Sequence, residues 1–127
     1  MIHELLGKRA EEGNPIRVGI IGTGKFGGGL VAQISQMQGM EVCVVADLDP
    51  NRGRQVLTSC GVSEDAMEVA NSVTAMHDAI GRGKTAIVED GLWIAQCEPV
   101  DVVVEATGIP EVGARMAYEV ITHKKHL

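Results

Sequence analysis

Residues 17–27 read Arg-Val-Gly-Ile-Ile-Gly-Thr-Gly-Lys-Phe-Gly. Arg17 to Ile21 is a short apolar run of strand type, and glycines at 22, 24 and 27 follow it at once. Leu30, Val31, Ile34 and Met37 then recur at helical spacing, so the glycines occupy a strand-to-helix turn. The next apolar run, Glu41 to Ala46, is a second buried strand ending in Asp47-Leu48-Asp49-Pro50. Asp47 stands 20 residues after Gly27. A Gly-x-Gly-x-x-Gly turn between strand and helix, with an acid at the end of the following strand, is the context in which this motif signals dinucleotide binding.

Outward from that core, strands and helices alternate. Residues 51–60 read as a polar helix. Ala66, Val69, Ala70, Val73, Met76, His77 and Ile80 fall on one helical face, with Ser63 as N-cap and Gly81 as stop. Thr85 to Glu89 is a third strand, Leu92 to Gln96 a short helix, and Val100 to Val104 a fourth strand ending in Glu105-Ala106-Thr107-Gly108. Pro110 suits the first turn of a helix that runs to about Thr122. Residues 1–14 form a helical extension with Ile2, Leu5 and Leu6 on one side, closed by Gly13-Asn14-Pro15. The pattern predicts an α/β, Rossmann-type, doubly wound parallel sheet over residues 15–127, with about four strands and a break before the fifth.

Each glycine of the loop has a task. Gly22 allows the tight turn, Gly24 lets the backbone approach a diphosphate, and Gly27 lets helix and sheet pack closely. The open N–H groups at the helix N-terminus attract the diphosphate, and Asp47 is placed to accept from an adenosine ribose. That carboxylate favours NAD, whereas Arg52 and Arg54 a few residues on could reach the 2′-phosphate of NADP, so the residues leave both open. Gly28 and Gly29 each weaken a helix by about 1 kcal/mol relative to alanine. Close packing on the first strand, or room for an approaching cofactor or domain, would explain them. Ala106, Thr107 and Gly108 lie where strand order reverses, and their small side chains leave space for the nicotinamide end.

Composition excludes several alternatives. With 11 Lys+Arg against 17 Asp+Glu and a formal charge of −6, the chain is a poor binder of nucleic acid. No apolar stretch approaches the roughly 20 residues of a membrane span, and the first ten residues lack the apolar region of a signal peptide. Three widely spaced cysteines, Cys43, Cys60 and Cys97, suit a reducing cytoplasm. His3, His77, His123 and His126 show no zinc-ligand spacing. His123, Lys124, Lys125 and His126 suit a helix C-terminus. Lys25 stands outside a P-loop pattern.

With GIIGTGKFG at 19–27, VVADLDP at 44–50 and DVVVEATG at 101–108, residues 16–127 resemble the nucleotide-binding half of homoserine dehydrogenases. The segment Val88-Glu89-Asp90-Gly91 and the final helix resemble more closely the branch with a C-terminal SAF-type domain, some members of which are deoxyxylulose-phosphate reductoisomerase-like. The resemblance implies an NAD or NADP cofactor. It implies that Gly22, Thr23, Gly24, Lys25, Phe26 and Gly27 line the diphosphate, and that Asp47, with Leu48 and Arg52 beside it, meets the adenosine ribose. Ala106, Thr107 and Gly108 would line the nicotinamide side. Such families carry substrate and catalytic residues in a second domain, so no catalytic residue is assigned here and this chain alone is not expected to turn over substrate. A stand-alone nucleotide-sensing module is the second reading, and a methyltransferase, which needs a larger sheet, the third. An apolar strand at 100–104 left as a sheet edge predicts self-association through that edge, or cover by a further domain.

Overall fold

The computed structural model describes residues 2–123 and 125–127, the side chains of Ile2, His3 and Val112 aside. Met1 and Lys124, placed by the sequence in the first helix and at the end of the last, lie outside the described residues, as does the expected packing of Ile2. Helix α1 (Ile2–Glu11) precedes strand β1 (Ile16–Ile21), α2 (Lys25–Ile34), β2 (Met40–Ala46) and α3 (Pro50–Ser59). Then come β3 (Met67–Val69), α4 (Val73–Gly81), β4 (Thr85–Val88), α5 (Leu92–Ala95), β5 (Val102–Glu105) and α6 (Pro110–Thr122). On α1 only part of the expected face is used: Leu6 is buried and Leu5 exposed.

The sheet has five strands in the order β3-β4-β2-β1-β5, every pair parallel. Aliphatic strands can be buried on both faces, as helix-covered parallel sheets require. Val18, Ile20, Val45 and Ile87 pack with Val31 and Ile34 of α2 and Leu57 of α3. Val44, Ala86, Val88 and Val103 face the other way, against Met76 and Ile80 of α4, Ile94 of α5, and Met116 and Val120 of α6. Gly19 lets α5 settle onto β1, since a Cβ there would lie 2.5 Å from Ile94 Cγ2.

The expectation of about four strands and of one long helix over 66–80 is corrected. Met67–Val69 is a short strand in register with Thr85–Ile87. Met67 is buried in the core, and Ala70 N donates to Ile87 O at 2.8 Å. Three residues that alternate in and out can share spacing with a following helix, and pairing with a strand distant in sequence decides between the two. The cap of α4 is Ser72, whose hydroxyl accepts from Ala75 N at 3.0 Å, and not Ser63. Its stop is Gly83, at φ +81° one residue beyond the C-cap Arg82, with Lys84 N donating back to Ala79 O at 3.0 Å. Gly81 is still helical.

The edge beside β5 also differs from expectation. His126 forms a parallel bridge with Val102. Val103 N donates to His126 O at 2.7 Å, and Lys125 Nζ donates to Val100 O at 2.8 Å. The amino half of this edge therefore meets His126 in a single bridge, and the strand that raises the count to five, β3, lies at the opposite edge. No described helix is long and apolar enough to cross a membrane.

Burial governs the thiols. It pushes Cys43 up to about 12, helped by nearby Cys97 and Glu41, and pushes Cys97 up to about 11. Only the thiolate attacks a disulfide reagent, so a rise from 9.0 to about 12 cuts the reactive fraction of Cys43 at pH 8 by about a thousandfold. One thiol, the half-buried Cys60, is expected to react in the folded chain, and three in urea. Two or more fast thiols before denaturation would contradict this packing.

Candidate functional site

Four loops meet at the carboxyl edge of the sheet, following β1, β2, β4 and β5. Between β1 and β5 the strand order turns outward in both directions, which is where open parallel sheets bind ligands. Gly22 leaves β1 at φ +93°, a conformation in which a side chain would be strained. The Cβ it lacks would lie 3.1 Å from the Ala106 carbonyl carbon and the Thr107 nitrogen, so the two loops touch through bare backbone. Gly27 is more restrictive still: its Cβ would fall 1.8 Å from the Gly22 carbonyl oxygen. Gly24 is the opposite case, with nothing within 4 Å of the missing Cβ. The three glycines thus divide into two that admit neighbouring chain and one that faces open space.

Gly24 also N-caps α2 without any side-chain cap, and no acidic residue occupies the first turn. The leading N–H groups of an α-helix have no partner within it, so this end offers donors beside the open space at Gly24. Gly28 and Gly29 do not pack on β1. A Cβ on Gly28 would make ordinary contact with Val56 of α3, and one on Gly29 would meet nothing.

Thr23 is the one buried polar side chain among the described residues, 2% exposed. Its amide and hydroxyl both donate to Asp47 Oδ2, at 3.1 and 2.6 Å. Asp49 N donates to Asp47 Oδ1 at 2.9 Å, and Arg52 Nη1 stands 4.0 Å from Oδ2. Desolvation alone would raise the Asp47 carboxyl. The Thr23 hydroxyl, the Asp49 and Thr23 amides and the Arg52 charge outweigh it and hold the group below its ordinary value. Asp47 therefore fastens the glycine loop to the end of β2, a role its position alone did not disclose.

A second pair of the same kind stands across the crevice. Glu105 Oε1 accepts from Thr107 N at 2.8 Å and from the Thr107 hydroxyl, which in turn accepts from Ile109 N at 3.2 Å. Glu105 was not among the sequence candidates. A threonine two residues after an acid at a strand end is the local signal that could have found it, because such hydroxyls readily bond back to nearby chain.

Residues 22–27, Asp47, Leu48, Arg52 and residues 106–108 all follow the carboxyl ends of β1, β2 and β5. Phe26, Leu48 and Ile109 are exposed, and Arg52 keeps a solvent-facing guanidinium. Arg54 is drawn away into an ion pair with Glu64. Two concave regions lie elsewhere. A cleft of about 580 Å3 at the amino edge is lined by Asn14, Arg17, His77, Glu98 and Asp101. A groove of about 330 Å3 runs between α2 and α3. Neither includes the residues that converge from the strand ends.

The family described as "NADP oxidoreductase coenzyme F420-dependent" matches residues 17–80, half of the chain. The chain belongs to this family. The matched span runs from β1 through most of α4 and so contains the glycine loop, Asp47 and Arg52. No curated protein gives a significant match. Among solved structures, scyllo-inositol dehydrogenase from Lactobacillus casei with bound NAD(H) and scyllo-inositol is similar at TM-score 0.63 and 15% identity, over 89% of this chain and 27% of that one. A variant 3-ketoreductase from Actinomadura kijaniata, in complex with TDP-benzene and NADP, is similar at TM-score 0.61 and 19% identity, over 89% and 29%. At such identities the likeness is one of fold, and the chain spans less than a third of either protein. Family and fold agree on an NAD(P)-binding oxidoreductase domain of Rossmann type.

Asp47 gives the site a pH signature. A carboxyl lowered from 3.8 on folding stabilises the native state above 3.8, and the contribution fades as pH falls through the lower native value. Asp47→Asn is expected to cost about 1–3 kcal/mol at pH 7, as for a hydrogen-bonded charge. The difference from wild type should shrink towards pH 3. Urea midpoints at the two pH values test this, and an unchanged difference would remove the charge from the explanation.

Proposed function

We propose that residues 15–127 are the nucleotide-binding domain of an oxidoreductase that uses NADP(H) in preference to NAD(H), with residues 1–14 a helical extension. The observation that carries this is the loop itself: Gly24 opens onto free space at an uncapped helix N-terminus while Gly22 and Gly27 are closed by neighbouring chain. That is the backbone a diphosphate needs. Gly22, Thr23, Gly24, Lys25, Phe26 and Gly27 surround the diphosphate, and Ala106, Thr107 and Gly108 form the nicotinamide side. Bound there, the cofactor supplies hydride transfer; the residues of this chain bind and orient it.

The preference rests on how Asp47 is used. Both carboxylate oxygens already accept hydrogen bonds, Oδ2 also stands 4.0 Å from Arg52 Nη1, and the side chain is only 8% exposed. Its charge is largely compensated, and Arg52 and Leu48 front the adenosine ribose. The family description, which names NADP, supports the same reading.

The substrate is proposed to bind a further domain, as in the homoserine dehydrogenase-like and reductoisomerase-like enzymes that the sequence resembles. In support, His77 lines the amino-edge cleft and His126 bridges the start of β5. His123 caps the C-terminus of α6, which runs antiparallel to the strands. The described histidine rings therefore lie away from the carboxyl edge, where proton transfer would be needed.

We place that further domain, or a second copy, against the β5 side of the sheet. Tyr118, Ile121 and Leu127 are each more than half exposed there. At the opposite edge, Glu68 of β3 is held in an ion-pair network with Arg82 and Lys84, a charged guard against strand pairing.

In calorimetric titration, NADPH is expected to bind more tightly than NADH. Gly24→Ala should lower the melting temperature by only a few degrees, the cost of a poorer N-cap, yet weaken both by tenfold or more, and Arg52→Gln should weaken NADPH selectively. No binding of either nucleotide would overturn the reading, and equal losses for Arg52→Gln would overturn the preference alone. Sedimentation at micromolar concentration should show an associated species that Tyr118→Glu disperses; a monomer throughout would remove self-association.

A further inference from the structure

We propose that Glu105 is a positioning residue, which acts through Thr107 to fix the backbone on the nicotinamide side of the cofactor site. The inference rests on the dinucleotide reading above and adds a residue that neither the glycine motif nor the family match includes. Glu105 ends β5, and Oε1 takes both polar hydrogens of Thr107, from the amide and from the hydroxyl. The hydroxyl oxygen then accepts from Ile109 N. The polar hydrogens of Thr107 are thereby both committed: its side chain serves as a frame for the chain and has no donor left for a ligand. The backbone it frames is the segment that touches Gly22, and Ala106 N is pinned to Ile21 O at 2.8 Å. A carboxylate on the α6 side thus sets the shape of the wall on the β1 side.

The other oxygen of Glu105 explains a glycine. A Cβ on Gly113, in the second turn of α6, would lie 3.3 Å from Glu105 Oε2, so the absent side chain leaves the carboxylate its place beside that helix. Gly113 sits in a helix interior, where glycine is disfavoured relative to alanine by about 1 kcal/mol, and room for Glu105 accounts for it.

The arrangement mirrors Thr23 and Asp47 across the crevice. In each case one carboxylate oxygen takes the amide and the hydroxyl of one threonine. One pair holds the diphosphate loop to β2 and the other holds the nicotinamide wall to β5. No hydrogen bond joins the two pairs among the described residues, so each should be separable by experiment.

The test compares whole and half cofactor by calorimetry. Thr107→Val keeps the shape but removes the hydroxyl, and it is expected to weaken NADPH about tenfold, the scale of one hydrogen bond. Binding of 2′,5′-ADP, which lacks the nicotinamide half, should stay within about twofold of wild type. Thr107→Ser restores the hydroxyl and should restore NADPH binding, a rescue that a merely structural role for the methyl group would not give. Gly113→Ala, which crowds Glu105 without touching Thr107, should shift NADPH in the same direction as Thr107→Val. Melting temperatures identify any variant that fails to fold, and Thr107→Ser then carries the comparison with wild type. Equal losses for NADPH and 2′,5′-ADP in Thr107→Val, or no loss for either, would overturn the positioning role while leaving the dinucleotide reading intact. Failure of the wild-type chain to bind both ligands would overturn the two together.

Discussion

The fold turns on one contact between pieces of main chain. Helix α2 lies so close to the end of β1 that the Gly22 carbonyl oxygen occupies the place where a Cβ on Gly27 would be, at 1.8 Å. No side chain fits there. The approach brings the helix N-terminus to the sheet edge, and the same missing Cβ would stand 3.4 Å from the Ala106 side chain. One absence of side chain therefore brings the loops of β1 and β5 together at the reversal of strand order. The site is a consequence of packing before it is an arrangement of chemistry.

Polar groups then make that packing rigid. Acids at the carboxyl edge would repel a phosphate if their charges were free. Asp47 and Glu105 are instead engaged by amide and hydroxyl donors from the loops they adjoin. Charge-assisted bonds of this kind are stronger than neutral ones, and in partly desolvated surroundings they fix loop shape while lowering the field an anion meets. The amino-edge cleft shows the contrast. Arg17, Glu98 and Asp101 bring mixed charges to it, and the Arg17 amide is already taken by Asp101 Oδ2.

Much of this was legible along the chain because it is local. The strand, the glycine turn and the helix after it lie within residues 16–34, and their periods are unambiguous. Where the reading failed, the missing information came from elsewhere in the chain. Met67, Glu68 and Val69 continue the spacing of the helix that follows them, and only their ladder with Thr85–Ile87 makes them a strand. Ser63 and Ser72 are equally good caps by composition; the hydroxyl of Ser72 is the one that meets an amide. Gly28 and Gly29 look like packing glycines, yet Gly27 alone faces the crowded side of α2. The edge of β5 is read as bare because the chain that covers part of it returns only at His126.

By itself the sequence determined the α/β alternation, the turn that must be glycine and the acid that ends the second strand, since each follows from steric freedom or apolar period within a few residues. Tertiary structure decided what those residues do. It made Asp47 a fastening for the loop through Thr23, drew Arg54 away to Glu64 and left Arg52 at the rim. It also gave Glu105 a partner and Gly113 a reason. Hydrogen bonds between loops depend on which strands become neighbours, and that order is set by the packing of the whole sheet, not by any one segment.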